Sequence, residues 1–369
     1  MLNKPINGRI KYLAQVKKTP FLVISKKVVQ DKFEEVRAAF SNARIFYAVK
    51  TNPHKRILKL LQALGADFEI SSEEELTLLL RCGVSPQKII SSNPIKGVSF
   101  IKAAYAAGVE YFAFDSQDEI RKLSLYAPGS KVYVRLSVSN ERSQWPLDRK
   151  FGVETEQAVE LLMEAAKSSL KPYGITFHVG SQCTDEKAWI KAIEKSKLVW
   201  EWAKEEGVEL KMLNIGGGFP IRYTEPIPSI AQISGVIQKT LNREFPQGIE
   251  LFVEPGRVFV GEAGVLVSTV IAKAKRDGQK WLYLDVGVFN GLMESIGNIR
   301  YPIYVERDGP VSKWVIAGPS CDSFDVISSE VELPELEIGD KVYLNSAGAY
   351  TTAYASRFNG FPIPRIYFM

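Results

Sequence analysis

The chain has 369 residues, which is enough for two domains or for one large barrel with an appendage. Its 47 Lys and Arg against 42 Asp and Glu give a net charge of +5, and no basic run stands out, which argues against nucleic-acid binding. No apolar run approaches the roughly 20 residues of a membrane span.

Cysteine and histidine are scarce, with three cysteines and two histidines in the whole chain. So few cysteines and histidines exclude a disulfide framework and provide few ligands for a metal cluster, so we expect no metal. The start, MLNKPINGRIKYLAQ, lacks the apolar core of a secretory signal. We therefore expect a globular, cytoplasmic protein.

A regular alternation of short strand-like runs and longer helical segments begins near residue 43. Helical segments follow the runs, such as HKRILKLLQALG after the first and SEEELTLLLRCG after the second. The alternation predicts a (β/α)8 barrel, with a doubly wound open sheet as the alternative. The eight runs are RIFYAV, ADFEI, KIISS, EYFAF, KVYVRL, GITFHV, KMLNI and IELFV.

The pattern changes after about residue 265, where strand-like runs are separated by turns without good helices. These runs predict a compact antiparallel β domain, which the early segment PFLVIS could join. We expect a barrel over residues 25–264 and a β domain over 1–24 and 265–369. The later runs are VLVSTVIAKAK, KWLYLDVG, YPIYVERDG, KWVIAGPS, DKVYLNSAGAY and PRIYFM.

Polar or glycine-rich groups stand at most of the predicted strand ends, where barrels of this type place their chemistry. The first is Lys50, whose ammonium would be costly to bury at the end of an apolar strand. Others are Glu69, His178, the glycines 216–218 and Glu254. Any one of them could be a capping or loop residue, but their concentration at one mouth favours an active site.

This set of groups suits one cofactor, pyridoxal phosphate (PLP). Successive glycines after a strand let backbone N–H groups approach a phosphate, which a nearby arginine can complete. A lysine at a barrel mouth can react with an aldehyde, although a salt-bridged structural lysine is an equal alternative. A histidine and a carboxylate could stack on the ring and face its nitrogen.

Six motifs, in this order, resemble the ornithine/arginine/lysine decarboxylases of the alanine racemase-like fold, a PLP-dependent family. They are AVKTNP, FHVGSQ, NIGGGFP, EPGR, GPSCDSFD and GAYTTAYASRFNGF, and the resemblance extends from about residue 20 to the C-terminus. It implies a barrel with PLP at its mouth, a β domain, and a homodimer whose active sites lie at the interface.

The resemblance also implies roles for single residues. Lys50 would bind the cofactor covalently, His178 would stack on the ring, and Glu254 would face the ring nitrogen. Glu69 matches a family aspartate near the cofactor, one methylene longer. The remaining cofactor-binding residues, most of them at the phosphate, would be Ser181, Gly216, Gly217, Gly218, Gly256, Arg257 and Tyr350.

Substrate contacts are implied for the C-terminal part of the chain. Cys321 and Asp322 resemble the pair that the partner subunit inserts, with Cys321 as the proton donor after carbon dioxide leaves. The alternative for Cys321 is a small buried apolar residue. Asp322 and Glu294 are the candidates for binding a distal ammonium, and Phe358 would complete the substrate site.

The carboxylate of Glu254 distinguishes two related reactions. Racemases of this fold place an arginine at the ring nitrogen, which weakens the electron sink that decarboxylation needs. We therefore predict a decarboxylase of a basic L-amino acid, with ornithine first and lysine, arginine or carboxynorspermidine as alternatives. A racemase and a non-catalytic PLP carrier are the further alternatives.

Overall fold

The computed structural model describes residues 6–147 and 149–369. They fall into two compact units. The barrel unit comprises Phe33–Pro220 and Pro228–Gly256, and the sheet unit comprises the described part of Met1–Lys32 with Ile221–Ile227 and Arg257–Met369. The domain limits given above, at 24/25 and 264/265, stay predictions.

The elements up to residue 260 include the eight predicted barrel strands and the predicted helices that alternate with them. In chain order they are α1 (Gly8–Val16), β1 (Phe21–Ile24), α2 (Lys26–Ala39), β2 (Ala43–Ala48), α3 (Lys55–Ala63), β3 (Asp67–Glu69), α4 (Glu73–Arg81), β4 (Ile89–Ser91), α5 (Val98–Ala107), β5 (Tyr111–Phe114), α6 (Gln117–Tyr126), β6 (Lys131–Arg135), β7 (Ser143–Trp145), α7 (Thr155–Ala166), β8 (Lys171–Thr176), β9 (Ser181–Cys183), α8 (Lys187–Glu205), β10 (Met212–Asn214), α9 (Ile230–Glu244), β11 (Glu250–Val253) and α10 (Arg257–Val260).

Eight parallel strands close into a barrel in the order β10–β11–β2–β3–β4–β5–β6–β8, which confirms the (β/α)8 prediction over an open sheet. Serine side chains cap the helices that follow several strands, as Ser72 and Ser116 do at α4 and α6. The sequence does not predict strands β7 and β9, which follow β6 and β8 along the chain and pair with each other antiparallel. The barrel interior contains the apolar side chains of Phe46, Ile90, Tyr111, Tyr133, Met212 and Phe252.

The sheet unit is built on strands β12 (Gly264–Arg276), β13 (Gln279–Leu284), β14 (Ile303–Val305), β15 (Val311–Ala317), β16 (Val326–Pro334), β17 (Lys341–Asn345) and β18 (Arg365–Phe368). Their order is β14–β17–β12–β13–β15–β16, and β1 pairs with both β12 and β18. The predicted place of PFLVIS in this sheet is therefore confirmed.

Most strand pairs of this sheet are antiparallel, as predicted, but two are parallel and make the sheet mixed. They are β13 with β15 and β1 with β18. Between β13 and β15 the chain has enough residues, 285–310, to return to the same end of the sheet, which parallel pairing requires. Among the described helices, none combines the length and apolar character needed to span a membrane.

Candidate active site

Lys50 lies just beyond β2, in a short 3-10 turn formed by Val49–Thr51. Its Nζ donates a hydrogen bond to Oε2 of Glu69, the last residue of β3, at 3.2 Å. The Glu69 side chain is 1% exposed, whereas that of Lys50 is 48% exposed. The cost of burying the ammonium is therefore avoided, because Lys50 lies in the turn and not in the apolar strand. The result is an accessible amine beside a buried carboxylate.

A second carboxylate, Glu75 of α4, stands close to this pair. Its Oε2 accepts a hydrogen bond from the Ser71 amide at 2.7 Å, and the Ser71 hydroxyl donates to Oε1 of Glu69 at 3.2 Å. Burial and the neighbouring charge of Glu69 raise the pKa of Glu75 to about 7. The sequence gives Glu75 no role, since it reads as an ordinary first-turn acid of a helix.

His178 follows β8, and its ring is held by the local backbone. Nδ1 accepts a hydrogen bond from the Gly180 amide at 3.0 Å, and Nδ2 of Asn140 donates to the His178 carbonyl at 3.0 Å. Burial and the cations of Arg135 and Lys50 hold the pKa of His178 well below its usual value. The imidazole is therefore neutral and presents an uncharged ring.

The glycines 216–218 follow β10 and press against the backbone on both sides. A Cβ on Gly216 would lie 2.3 Å from the Phe177 carbonyl oxygen, and one on Gly217 would lie 2.4 Å from the Glu254 carbonyl oxygen. Because such distances are not tolerated, only glycine fits, and the loop runs directly between the segments that carry His178 and Glu254.

Gly256 has a similar role at the end of the barrel unit. A Cβ there would lie 2.1 Å from Oγ1 of Thr51, the neighbour of Lys50. The absence of a side chain thus lets the segment that follows β11, with Glu254, approach the Lys50 turn. Ser181, the remaining predicted residue of this unit, begins β9.

Glu254 is buried and receives two side-chain hydrogen bonds on one oxygen. Ser92 Oγ and Asn214 Nδ2 both donate to its Oε1, and the Ser92 hydroxyl is also 2.7 Å from that of Tyr133. Burial and the charge of Glu69 raise the pKa of Glu254, and the two hydrogen bonds oppose that rise. The sequence assigns no role to Ser92, Asn214 or Tyr133.

Three predicted residues come together in the sheet unit. Arg257 donates from Nη1 to Glu294 Oε2 at 2.7 Å and from Nη2 to Glu294 Oε1 at 2.5 Å, and also to the Tyr223 hydroxyl at 2.7 Å. Its guanidinium carbon lies 4.9 Å from the centre of the Tyr350 ring. Glu294 thus has a buried guanidinium as its partner, while the predicted roles at phosphate and substrate stay predictions.

Cys321 and Asp322 lie in an exposed loop between β15 and β16. The loop is shaped by a residue that the sequence does not single out, the buried Asp325. Its Oδ1 accepts a hydrogen bond from the Val288 amide at 2.7 Å and its Oδ2 one from the Ser320 amide at 3.0 Å. These bonds fix both the loop and the segment after β13.

Phe358 occupies another exposed stretch of the sheet unit. It begins the 3-10 turn Phe358–Gly360, and its ring centre is 4.9 Å from that of Phe289. The neighbouring Asn359 accepts a hydrogen bond from the Cys321 amide at 3.0 Å, so this turn and the Cys321 loop touch. The two predicted substrate-binding segments are therefore adjacent.

The barrel unit gathers Lys50, Glu69, His178, the glycine loop and Glu254 at the carboxyl ends of its strands. Their mutual influence is electrostatic as well as steric: after burial and Arg135, the Lys50 ammonium also lowers the pKa of His178, and it partly opposes the rise in the pKa of Glu254 that burial and Glu69 cause. Among the described residues there is no group of three or more His, Cys, Asp or Glu side chains suited to a metal ion.

Comparison with known proteins points in one direction. Residues 26–261 match the family model described as pyridoxal-dependent decarboxylase, pyridoxal binding domain. The chain is 38% identical to a lysine/ornithine decarboxylase of Selenomonas ruminantium over 356 residues, covering 95% of this chain and 90% of the relative.

Two solved structures extend the comparison to the fold. The structure of SrLDC in complex with PLP and cadaverine has a TM-score of 0.92 and 36% identity, covering 100% of this chain and 95% of that one. The arginine decarboxylase of Paramecium bursaria Chlorella virus has a TM-score of 0.93 and 30% identity, covering 99% of this chain and 100% of that one.

Proposed function

We propose that this chain, which belongs to the pyridoxal-dependent decarboxylase family, removes carbon dioxide from a basic L-amino acid, with ornithine as the substrate and putrescine as the product. It is a PLP-dependent enzyme of this family, and the family's substrates include lysine and arginine as well as ornithine. The observation that carries the proposal is the accessible Lys50 amine, which shares the barrel mouth with Glu254 and the glycine loop.

The described side chains fit this cofactor. Lys50 offers an amine for its aldehyde, and its pairing with Glu69 holds that amine in place. The glycine loop lets backbone amides come close to a phosphate, and neutral His178 presents a flat ring for stacking. When bound, PLP supplies the electron sink that stabilises the charge left on the alpha carbon.

Glu254 supports decarboxylation over racemisation. Glu254 is a buried carboxylate, and if it faced the ring nitrogen it would favour a proton there, which would make the ring the stronger electron sink. Ser92 and Asn214 donate hydrogen bonds to the carboxylate and so favour its ionised form. A non-catalytic carrier would have no need of this arrangement.

For the distal ammonium of the substrate we propose Asp322. Its carboxylate lies in an exposed loop, and its only described hydrogen bond partner is the Phe324 amide, at 2.8 Å. Glu294 is less available, because both of its oxygens are bonded to Arg257. A charged partner is expected since an ammonium that leaves water needs a carboxylate.

The experiment is to incubate the PLP-loaded protein separately with L-ornithine, L-lysine and L-arginine and to measure carbon dioxide release. We expect release from ornithine with the highest kcat/KM. A higher kcat/KM for lysine or arginine would correct the proposed substrate and leave the proposed decarboxylation standing. No release from any basic amino acid, despite bound cofactor, would refute the proposal and favour the carrier or racemase.

We also propose a homodimer in which Cys321 and Asp322 enter the partner's active site, with Cys321 as the proton donor. Support comes from the exposure of this loop, including Phe324, whose side chain is 69% exposed on an otherwise polar stretch. Mixing Lys50→Ala and Cys321→Ala chains should restore about a quarter of the activity if subunits exchange at random. No restoration after verified exchange would refute the shared site.

The same exposed thiol bears on the compartment. We propose the cytoplasm, because a proton-donating Cys321 must stay reduced and the cytosol keeps thiols reduced. Fractionation of cells that make the protein, followed by immunoblotting, tests this; recovery in an oxidising compartment would contradict it.

A further inference from the structure

A chain of hydrogen bonds surrounds Glu254 and reaches the glycine loop. Tyr133, Ser92, Glu254 and Asn214 are all buried, and they come from four strands or strand ends of the barrel. The bonds run from the Tyr133 hydroxyl to Ser92, from Ser92 to Glu254, and from Asn214 to the same Glu254 oxygen.

The orientation of the Asn214 amide is fixed by the backbone. Its Oδ1 is 2.9 Å from the Gly216 amide nitrogen, and a backbone N–H can only donate. The other end of the amide must therefore be the NH2 group, which faces Glu254 Oε1. Glu254 Oε1 therefore accepts a hydrogen bond from Asn214 Nδ2.

The direction of the second hydrogen bond follows from the first. The Ser92 hydroxyl has one proton to donate, and its oxygen lies within hydrogen-bond distance of both the Tyr133 hydroxyl and Glu254 Oε1. Burial and the charge of Glu254 raise the pKa of Tyr133 well above its usual value, so Tyr133 keeps its proton and can donate to Ser92. Ser92 then donates to Glu254, and two donors on one oxygen favour the ionised carboxylate.

This arrangement leaves the other carboxylate oxygen for a ligand. Within residues 6–147 and 149–369, both side-chain hydrogen bonds to Glu254 end on Oε1, and none ends on Oε2. The carboxylate cannot turn without giving up these bonds. Its second oxygen is therefore held in one direction.

The glycine loop is tied to the same residue. Besides the bond from Gly216 to Asn214, the Glu254 amide donates to the Gly216 carbonyl at 2.8 Å. The close approach of Gly217 to the Glu254 carbonyl adds a steric contact. A shift of the loop would thus move Glu254. Loss of the Asn214 side chain would remove one hydrogen bond from Glu254 and one from Gly216.

We propose that Ser92 and Asn214 are positioning residues that hold Glu254 ionised with Oε2 free, and that Asn214 also links Glu254 to the glycine loop. This inference rests on the proposed function, in which Oε2 faces the ring nitrogen of PLP. It goes further because it makes the protonation of that nitrogen depend on two residues that act through Glu254 and not on the cofactor directly. Asn214, which bonds to both Glu254 and Gly216, couples the ring end of the site to its phosphate end.

Ser92→Ala removes one donor, and the chain offers a matched control one residue away. Ser91, the last residue of β4, is also buried, but its hydroxyl has no hydrogen-bond partner among the described residues. Both variants are reconstituted with PLP labelled with 15N in the ring, and the nitrogen chemical shift and the PLP dissociation constant are measured at neutral pH.

We expect wild type and Ser91→Ala to show a protonated ring nitrogen. In Ser92→Ala the carboxylate becomes more basic, so the nitrogen signal should move toward the neutral pyridine value and the dissociation constant should rise about tenfold. A Ser92→Ala protein that matches Ser91→Ala in both measurements would overturn the inference while leaving the proposed function intact. A wild-type chain that binds no PLP would overturn both.

Asn214→Asp provides a second test that needs no cofactor. The new residue can still accept from the Gly216 amide, but it places an acid against Glu254, so the pair must share a proton. Because the pair's pKa is then raised in the folded state, stability is lost as pH rises through that pKa. We expect the thermal midpoint of the variant, relative to wild type, to fall as the pH rises from mildly acidic to mildly alkaline. Parallel pH profiles would overturn the inference.

Discussion

The substitution Glu294→Gln distinguishes two roles for one buried carboxylate. Glu294 and Arg257 are each 3% exposed as side chains, and two hydrogen bonds join them. Removing one partner of a buried ion pair costs about 3–5 kcal/mol, because the other charge stays buried without compensation. Arg257 keeps the Tyr223 hydroxyl and the Tyr350 ring, and glutamine keeps one acceptor, so we expect about 2–3 kcal/mol.

The assay is thermal unfolding of the cofactor-free protein at neutral pH. For a unit of this size the loss corresponds to a decrease in Tm of about 5–10 °C. Glu330→Gln is the matched control, because Glu330 lies in the same unit, 2.8 Å from Lys313, with a side chain that is 61% exposed. The control should unfold like wild type.

The result also decides what Glu294 does. If its main partner is Arg257, Tm falls and KM for the amino acid changes little in the folded variant. If instead it binds the distal ammonium of the substrate, KM rises at least tenfold and Tm stays near the wild-type value. An unchanged Tm would refute the reasoning from the buried pair.

Three further outcomes are expected. Lys50→Ala should abolish the absorbance of the bound cofactor, whereas Lys59→Ala, on an exposed helix face, should not; retention of the absorbance would refute the role of Lys50. Asp322→Ala should raise KM about tenfold or more with unchanged PLP affinity, since only a charged hydrogen bond to the substrate is lost; equal loss of both would contradict that assignment. In the folded state the pKa of Glu75 is raised from 4.5 to about 7, so the stability of the protein falls as the pH rises through this range. Glu75→Gln should therefore reduce this fall in the Tm of the cofactor-free protein. Identical pH profiles of Glu75→Gln and wild type would contradict the assigned pKa.

The sequence predicts the barrel well because its information is local. Each of the eight strand-like runs overlaps a barrel strand, and most of the predicted helices match to within a few residues. Strand β16 is missed because its sequence, VISSEVELP, mixes charged and apolar residues and lacks a long apolar run. The parallel pairs of the sheet are missed because pairing direction depends on distant segments.

For the candidate site, too, the sequence predicts local features and misses contacts between distant segments. Motifs and resemblance identify Lys50, His178 and Glu254, but not the hydrogen bonds that act on them. Ser92 and Asn214 lie 162 and 40 positions from Glu254, and nothing in the local sequence links them. The exposure of Lys50 also escapes prediction, because a turn of three residues decides it.

The tight glycine loop has a consequence for how this enzyme can change by mutation. At its three positions and at Gly256 an added Cβ would lie 2.1–2.4 Å from a neighbouring atom, so any larger residue there would force the surrounding segments to move. The exposed residues Asp322, Ser323 and Phe324 carry no such packing constraint, whereas the neighbouring Cys321 is kept as the proposed proton donor. Libraries that seek a new amino-acid preference should therefore spare the barrel mouth and diversify that loop.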